Sequence, residues 1–412
     1  MSYDWRRQDD EKAFEGVQAL NFVLDEFELC IFCSGSLYGS STRIPGWIRG
    51  LSLLKLFGRN GRPCQSCGNL FEDNMDKIIS KALLMLKDYE FSTIKTGVIV
   101  PPVIIEKLDR IRSKYGLSDA ESVKLTVSRR LDEILSSKIG VAVEEEDPDV
   151  MIIFDFNRID VSIQIKPVYI YGRYRKLERG ISQSRWVCPQ CNGVGCEKCS
   201  WTGYKYPSVE KMVGDVLKKA FLASEYHIHA SGREDIDVRM LGPGRPFVME
   251  LVEPKKRRAD LNQLEREINE KNKGKIEVIG LRYSSKGEVV TLKEAKFRKV
   301  YRLKVEVRNL SEAEVKMLEE KLSNCIISQR TPTRVLRRRA DIERKRKVFK
   351  FNIVNYDIDG FEATVECEGG LYIKELVNGD NGRTRPSVSS LLGRESICKE
   401  LDVIDILGDE YG

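Results

Sequence analysis

The chain has two histidines in 412 residues, His227 and His229. Alternation along a strand puts both on one face, and a structural role suits them better than acid–base work. No apolar run is long enough for a membrane-spanning helix, so no membrane partner is expected. The opening stretch MSYDWRRQDDEKAFEG has no signal-peptide apolar core, and the expected compartment is the cytoplasm. There is no Gly-x-x-x-x-Gly-Lys-Ser/Thr and no dinucleotide-type Gly-rich turn after a strand. Neither nucleotide-cofactor class therefore has its phosphate cradle.

The length calls for two or three domains. With 41% hydrophobic and 32% charged residues, the balance is that of a soluble globular protein. Net charge is only +6, but it is unevenly spread. Basic residues concentrate in Tyr171–Arg179, Lys255–Arg258 and Gln329–Lys350. Three such runs, two with Tyr or Pro interleaved, point to a polyanion and to RNA before others. The candidate RNA-binding side chains are Arg173, Arg175, Arg334, Arg337, Arg338, Arg339, Arg344 and Lys345. The plainer alternative is a set of solvated helix faces.

Eight of the eleven cysteines form Cys-x-x-Cys pairs: Cys30/Cys33, Cys64/Cys67, Cys188/Cys191 and Cys196/Cys199. In a chain without secretory features this spacing means metal rather than disulfide. The first two pairs are about 30 residues apart, and could close on one zinc or never meet. The second two are four residues apart, with Gly193 and Gly195 available for a tight reversal. Two structural zinc sites of four thiolates each are expected, since four thiolates leave no open position for catalysis. Cys325, Cys367 and Cys398 stand alone and read as small packed residues.

Four segments follow: a zinc-knuckle module over 1–70, an α/β unit over 71–170, a basic connector over 171–206, and an α+β domain over 207–412. In the second, helices are predicted over Asp73–Tyr89 and Asp119–Ser136. Strands are predicted over Val98–Ile105, interrupted by Pro101-Pro102, and over Met151–Phe156 and Val161–Ile165. In the last, helices over Ser208–Ala223, Arg258–Lys271 and Ser311–Ser323 alternate with strands. The third helix is opened by a Ser311…Glu314 capping box. The strands are Tyr226–Ala230, Pro246–Val252, Lys275–Tyr283, Lys299–Val307, Val348–Tyr356 and Phe361–Glu366, which argues a mixed sheet.

Three pieces of this last domain carry chemistry. Gly232-Arg233-Glu234-Asp235 is a turn holding acids beside an arginine. Lys299-Val300-Tyr301-Arg302 is a strand with an aromatic among cations. Gly369-Gly370-Leu371-Tyr372-Ile373-Lys374-Glu375-Leu376 brings a cation and a second aromatic. Tyr offers a stacking face for a nucleobase, and Lys would hold an Asp ionised. Read by spacing alone, the turn is either an ion-pair knot or a reactive carboxylate, and the pieces could equally be solvated strand ends.

These pieces resemble the three short motifs of pseudouridine synthases. The longer runs ASGREDIDVRMLGPGRPF, QRTPTRVLRRRAD and YIKELVNGDNGRTRPSVSSLLG extend the likeness. With the YIYGRYRKLERGISQSRW connector and the paired knuckles, nearly the whole chain is similar to the tRNA pseudouridine(54/55) synthase family of archaea and eukaryotes, which modifies the TΨC arm. The cysteines of 188–199 resemble archaeal members more than animal ones. The resemblance implies a pseudouridine synthase fold with a largely antiparallel mixed sheet, preceded by a zinc-containing module and a THUMP-type RNA-binding domain. It implies Asp235 as nucleophile, Tyr301 stacking on the target uracil, Lys374 pairing with the acid, and Leu376 packing under the base. Arg233 and Tyr372 belong to the same substrate-binding motifs. It implies tRNA as partner and no organic cofactor, because isomerisation needs neither redox change nor phosphate energy; the chain is expected to be a monomer. One departure is Lys374, where the family often has Arg; lysine cannot fork onto a carboxylate. Another is Asp237, which alternation would put beside Asp235 in an extended segment. A non-catalytic zinc-containing tRNA-binding protein or RNA chaperone is the alternative. A thiol-dependent RNA-modifying enzyme using the Cys-x-x-Cys pairs is a third.

Overall fold

The computed structural model describes residues 18–39, 41–42, 44–295, 297–337 and 339–408; the polar stretch 1–17 and the candidate Arg338 lie outside these. The chain divides into two compact units. One runs to Lys166 and also takes in Glu253–Arg257; the other comprises Pro167–Val252 and the chain from Arg258. Among the described residues no helix is long and apolar enough to cross a membrane.

The first unit contains helices α1 (Ile31–Ser36), α2 (Gly46–Leu56), α3 (Leu70–Leu86), α4 (Pro102–Tyr115) and α5 (Val123–Ile139). Its strands are β1 (Thr93–Ile99), β2 (Ala142–Val143), β3 (Val150–Asp155) and β4 (Asp160–Ile165), in the order β2-β1-β3-β4. β1 is parallel to both neighbours, and β3 and β4 form an antiparallel hairpin. The strand predicted over Val98–Ile105 forms only at its first two residues. β1 stops at Ile99 and α4 starts at Pro102. A proline at the first helical position wastes no hydrogen bond, because that N–H has no intrahelical partner anyway. α5 begins with the Ser122 hydroxyl accepting from Lys124 N and ends at Gly140 with φ +78°. Within Lys255–Arg258, Arg257 bonds the Lys166 carbonyl at 2.8 Å and Asp149 at 3.2 Å, so this member of the basic run serves the first unit's own structure.

The second unit adds β5 (Val168–Lys176), α6 (Val209–Phe221), β6 (Glu225–Ala230), β7 (Arg239–Val252), α7 (Leu261–Lys271), β8 (Ile276–Ser284), α8 (Lys286–Glu294), β9 (Arg298–Glu306), α9 (Glu312–Leu322), β10 (Cys325–Arg330), β11 (Glu343–Asp357), β12 (Gly360–Cys367), α10 (Ile373–Asn378), β13 (Thr384–Arg385), α11 (Val388–Leu392) and β14 (Ile397–Leu407). Ten strands form one sheet, ordered β13-β10-β11-β12-β9-β14-β7-β5-β8, with β6 paired to β7. Every pairing is antiparallel except β7 with β14. This is a mixed, largely antiparallel sheet with flanking helices.

α6 shows how the helices reach the core. Ser208 caps it by accepting from Lys211 N at 3.2 Å. Val209, Val213, Val216, Leu217 and Phe221 recur at helical spacing and are all buried. Each such side chain contributes about 1.5–3 kcal/mol of transfer free energy. α9 carries the Ser311–Glu314 capping box in both directions. The core of this unit runs continuously under the sheet, from Val168 to Ile406.

Candidate active site

β6 enters and β7 leaves the turn that holds Ser231–Val238. At Gly232 the backbone has φ +80°, and a Cβ there would lie 2.8 Å from Lys299 Nζ and 3.3 Å from an Arg245 nitrogen. Conformation and close approach both favour glycine. Arg233 swings outward, its guanidinium 5.1 Å over the Trp186 ring.

Glu234 turns inward, with a side chain only 1% exposed. It accepts from Arg245 Nε at 2.9 Å and from the Tyr174 hydroxyl at 3.0 Å, and Lys176 Nζ lies 3.7 Å away. Burial pushes its carboxyl up, but Arg245 and then Lys176 outweigh this and hold it below the usual carboxylate range. The same cations pin the turn's backbone. Arg245 donates to the Ser231 carbonyl at 2.7 Å, and Lys176 to the Asp235 carbonyl at 2.9 Å. Gln183 donates to the Gly232 carbonyl at 3.0 Å.

Asp235 points the other way and is 39% exposed. Its Oδ2 is 2.9 Å from an Arg334 nitrogen and 3.7 Å from Lys374 Nζ. Lys374 sits closer to Asp237, at 2.6 Å. Arg334 is itself anchored, with Nε 2.7 Å from the buried Glu375. Burial works against the Arg334 charge, but Glu375 and Asp235 override it and raise its pKa. The three sequence pieces thus meet around Asp235, and Arg334, counted above among the RNA-binding arginines, meets them there.

Tyr301 stands on β9 opposite Val365 and Val403, half-buried against the core. Burial, then Cys367, pushes its hydroxyl up, and the turn's Glu234 and Asp235 lie near enough to add to the shift. Tyr372 caps α10. Its ring is 6.0 Å from the Arg334 guanidinium, and its hydroxyl accepts from Arg339 at 2.8 Å. Leu376 is fully buried.

Lys299, two residues before Tyr301, is 9% exposed and has no hydrogen-bond or ion-pair partner among the described residues. Burial, and then Arg245, lowers its pKa to about 8.

Both cysteine quartets are assembled. In each, the four sulfurs lie within 4.8 Å of one another. Cys30 and Cys67 Sγ are 3.5 Å apart; Cys188–Cys196 and Cys191–Cys199 are each 3.9 Å. A tetrahedral ion bonded to sulfur at about 2.3 Å requires sulfurs about 3.8 Å apart, so either quartet could hold a metal. In the second, Gly193 and Gly195 have φ of +93° and +108° and make the reversal. The Gly195 N–H donates to Cys191 Sγ at 3.2 Å.

A family profile described as Pus10, C-terminal, matches residues 169–407, more than half of the chain. The chain belongs to the Pus10 family. A second profile, Pus10 THUMP domain, archaeal, matches residues 78–155, spanning β1 to β3. A protein of Korarchaeum cryptofilum named tRNA pseudouridine synthase Pus10 is 47% identical over 87% of this chain and 96% of its own. Its namesakes in Methanocaldococcus jannaschii and Pyrococcus furiosus are 38% and 35% identical over 95% of this chain, and 94% and 97% of theirs.

The Pus10 C-terminal match takes in every residue gathered around Asp235. Of the remaining basic candidates, Arg173 and Arg175 bond the Pro243 and Gly242 carbonyls of β7 at 3.0 and 2.5 Å. Arg344 bonds the Thr331 hydroxyl at 3.1 Å. Arg337 and Lys345 are exposed and unpaired among the described residues. His229 bonds Glu250 at 2.8 Å from β6. Lys176, Gln183 and Arg245 all lie in the longer runs quoted above, but nothing in those runs marks them as the turn's holders. Sequence reading also left Arg334 in a basic run, with nothing to show which member faces inward.

Proposed function

We propose that the chain isomerises uridine to pseudouridine in the TΨC arm of tRNA, at position 54, 55 or both, with Asp235 as nucleophile. The observation that carries this is the division of labour in the turn. Glu234 is consumed in a buried ion-pair knot, while Asp235 is presented half-exposed between Arg334 and Lys374. Arg334 and Lys374 bracket that carboxylate and fix where its oxygens point, as a positioned nucleophile requires.

In the reaction the C1′–N1 bond breaks and C1′ rejoins the ring at C5. The C5 proton leaves and N1 gains one, so nothing is oxidised. Asp235 meets the loosened nucleoside, Tyr301 supplies a stacking face, and Leu376 supports the floor beneath the base. The target base must first leave its stack, at a cost of a few kcal/mol. Arg337 and Lys345, free to meet phosphates, would offset part of that. Cys30, Cys33, Cys64 and Cys67 would hold one zinc, and Cys188, Cys191, Cys196 and Cys199 a second. Such ions brace the loops that carry them and take no part in the isomerisation. The chain would act as a cytoplasmic monomer.

The test uses unmodified tRNA transcript labelled with tritium at uracil C5. The native chain should release tritium, and carbodiimide with reverse transcription should map pseudouridine to the TΨC arm. Asp235→Ala should bind the tRNA and release none. Full release by that variant would end the assignment.

A further inference from the structure

A cavity beside the second cysteine quartet contains none of the residues gathered around Asp235. It lies between the quartet's loop, α6 and the end of α7, with a volume of about 710 Å³. That is within the range of true ligand sites, about 300–1,000 Å³.

Its lining is basic and aromatic. Lysines 198, 205, 211, 219 and 271 reach it, with Tyr204 and Tyr206. Lys211 is neutralised by Asp215 at 2.6 Å and Lys271 by Glu267 at 2.6 Å. Lys198, Lys205 and Lys219 make no ion pair among the described residues. Lys205 Nζ lies 5.2 Å over one face of Tyr206 and Lys211 Nζ 5.7 Å over one face of Tyr204, so cations and rings alternate along the wall, a pattern that suits unpaired nucleic acid because phosphates need the charge and bases need the rings. An acidic peptide would use the cations but have no call on two tyrosines.

The cavity also connects to the turn. Tyr206 packs edge-on against Trp186 at 5.7 Å, and Trp186 lies under Arg233, two residues before Asp235. A strand lying on Tyr204 and Tyr206 would therefore be continuous with the surface that presents Asp235.

We propose that this cavity binds a short unpaired segment of the RNA substrate, separate from the target uridine. Its bases stack on Tyr204 and Tyr206, and its phosphates meet Lys198, Lys205 and Lys219. This rests on RNA being the substrate and not on which uridine reacts.

The experiment is equilibrium binding of a fluorescent single-stranded oligoribonucleotide to the full chain across a salt series, with no turnover required. Each phosphate contact removed lowers the slope of log affinity against log salt by about 0.7 for single strands. Lys198→Ala/Lys205→Ala/Lys219→Ala should therefore lower it by about 2, and Tyr204→Ala should weaken binding by about 5- to 150-fold. With whole tRNA, the triple variant should raise KM and leave the single-turnover rate at saturation unchanged. An unchanged salt slope would overturn the proposal, as would an acidic peptide competing as well as the oligonucleotide. If pseudouridine never forms yet the slope falls as stated, the isomerase reading fails and this one stands.

Discussion

The adjacent acids of the turn should fail in opposite ways when neutralised. Glu234→Gln keeps the shape of the side chain and removes its charge. What remains is Arg245, 1% exposed, with no anion. Removing one partner of a buried ion pair costs about 3–5 kcal/mol. Against a domain stability of about 5–15 kcal/mol, that is a large fraction, and a melt followed by near-UV circular dichroism will read it as a clear fall in midpoint. The acid dependence gives a second readout. The Glu234 pKa is depressed in the fold. Its contribution is therefore fully present above the unfolded value of about 4.3 and is lost as pH falls through the lower folded value. Glu234→Gln should flatten that acid limb. Asp235→Ala removes a half-exposed carboxylate, so its stability cost should stay under about 1 kcal/mol while tritium release disappears. A Glu234→Gln chain that melts like the native one yet is inactive would make the buried acid the reactive one, and the reasoning would fall.

Other outcomes follow from neighbouring groups. The Lys299 pKa is depressed from 10.5 to about 8, so its ammonium costs stability below pH 8 and the cost lifts as pH rises from 8 to 10.5. Lys299→Met should raise the melting midpoint at pH 7, by up to about 3 kcal/mol in stability, and the gain should vanish above pH 10.5; a destabilised variant would contradict this. Arg334→Lys cannot bridge Glu375 and Asp235 at once. Losing one charge-assisted bond of about 1.5–3 kcal/mol should slow single-turnover isomerisation by about 10- to 150-fold with the fold intact by circular dichroism. Metal analysis should return two ions per chain, one per quartet, released only when chelator is combined with denaturant for the buried first quartet; a single ion would leave one quartet as free thiols.

What could be read in the sequence is what is local. The Ser311–Glu314 capping box needs only three residues of separation, and it forms as written. The Cys-x-x-Cys pairs and their glycines announced two quartets whose sulfurs meet. Pro101-Pro102 reads as a break in a strand but opens a helix, because a proline pair does either with equal ease and only the neighbouring chain decides. The site was legible in its motifs and not in its wiring. Nothing in Gly-Arg-Glu-Asp says that Glu234 is sealed and Asp235 presented, because burial depends on Tyr174, Lys176 and Arg245 arriving from β5 and β7. Lys374 could be anticipated near the acids; that it lies nearer Asp237 than Asp235, with Arg334 in the closer place, depends on how the fold brings together residues roughly a hundred positions apart.

The single parallel pairing in the larger sheet has a bearing on synthesis. β14 seats between β9 and β7, and its Asp402 binds Arg239 of β7 at 2.6 Å and Arg179 of the connector at 2.8 Å. β7 and β9 carry the turn's exit and Tyr301, yet within the sheet they are joined through β14, which is synthesised after both. Seating β14 therefore closes long loops, which are the slowest class of contact to form. A chain ending before β14 should therefore carry Asp235, Tyr301 and Lys374 and yet release no tritium, because the strand that joins β7 to β9 in the sheet is missing.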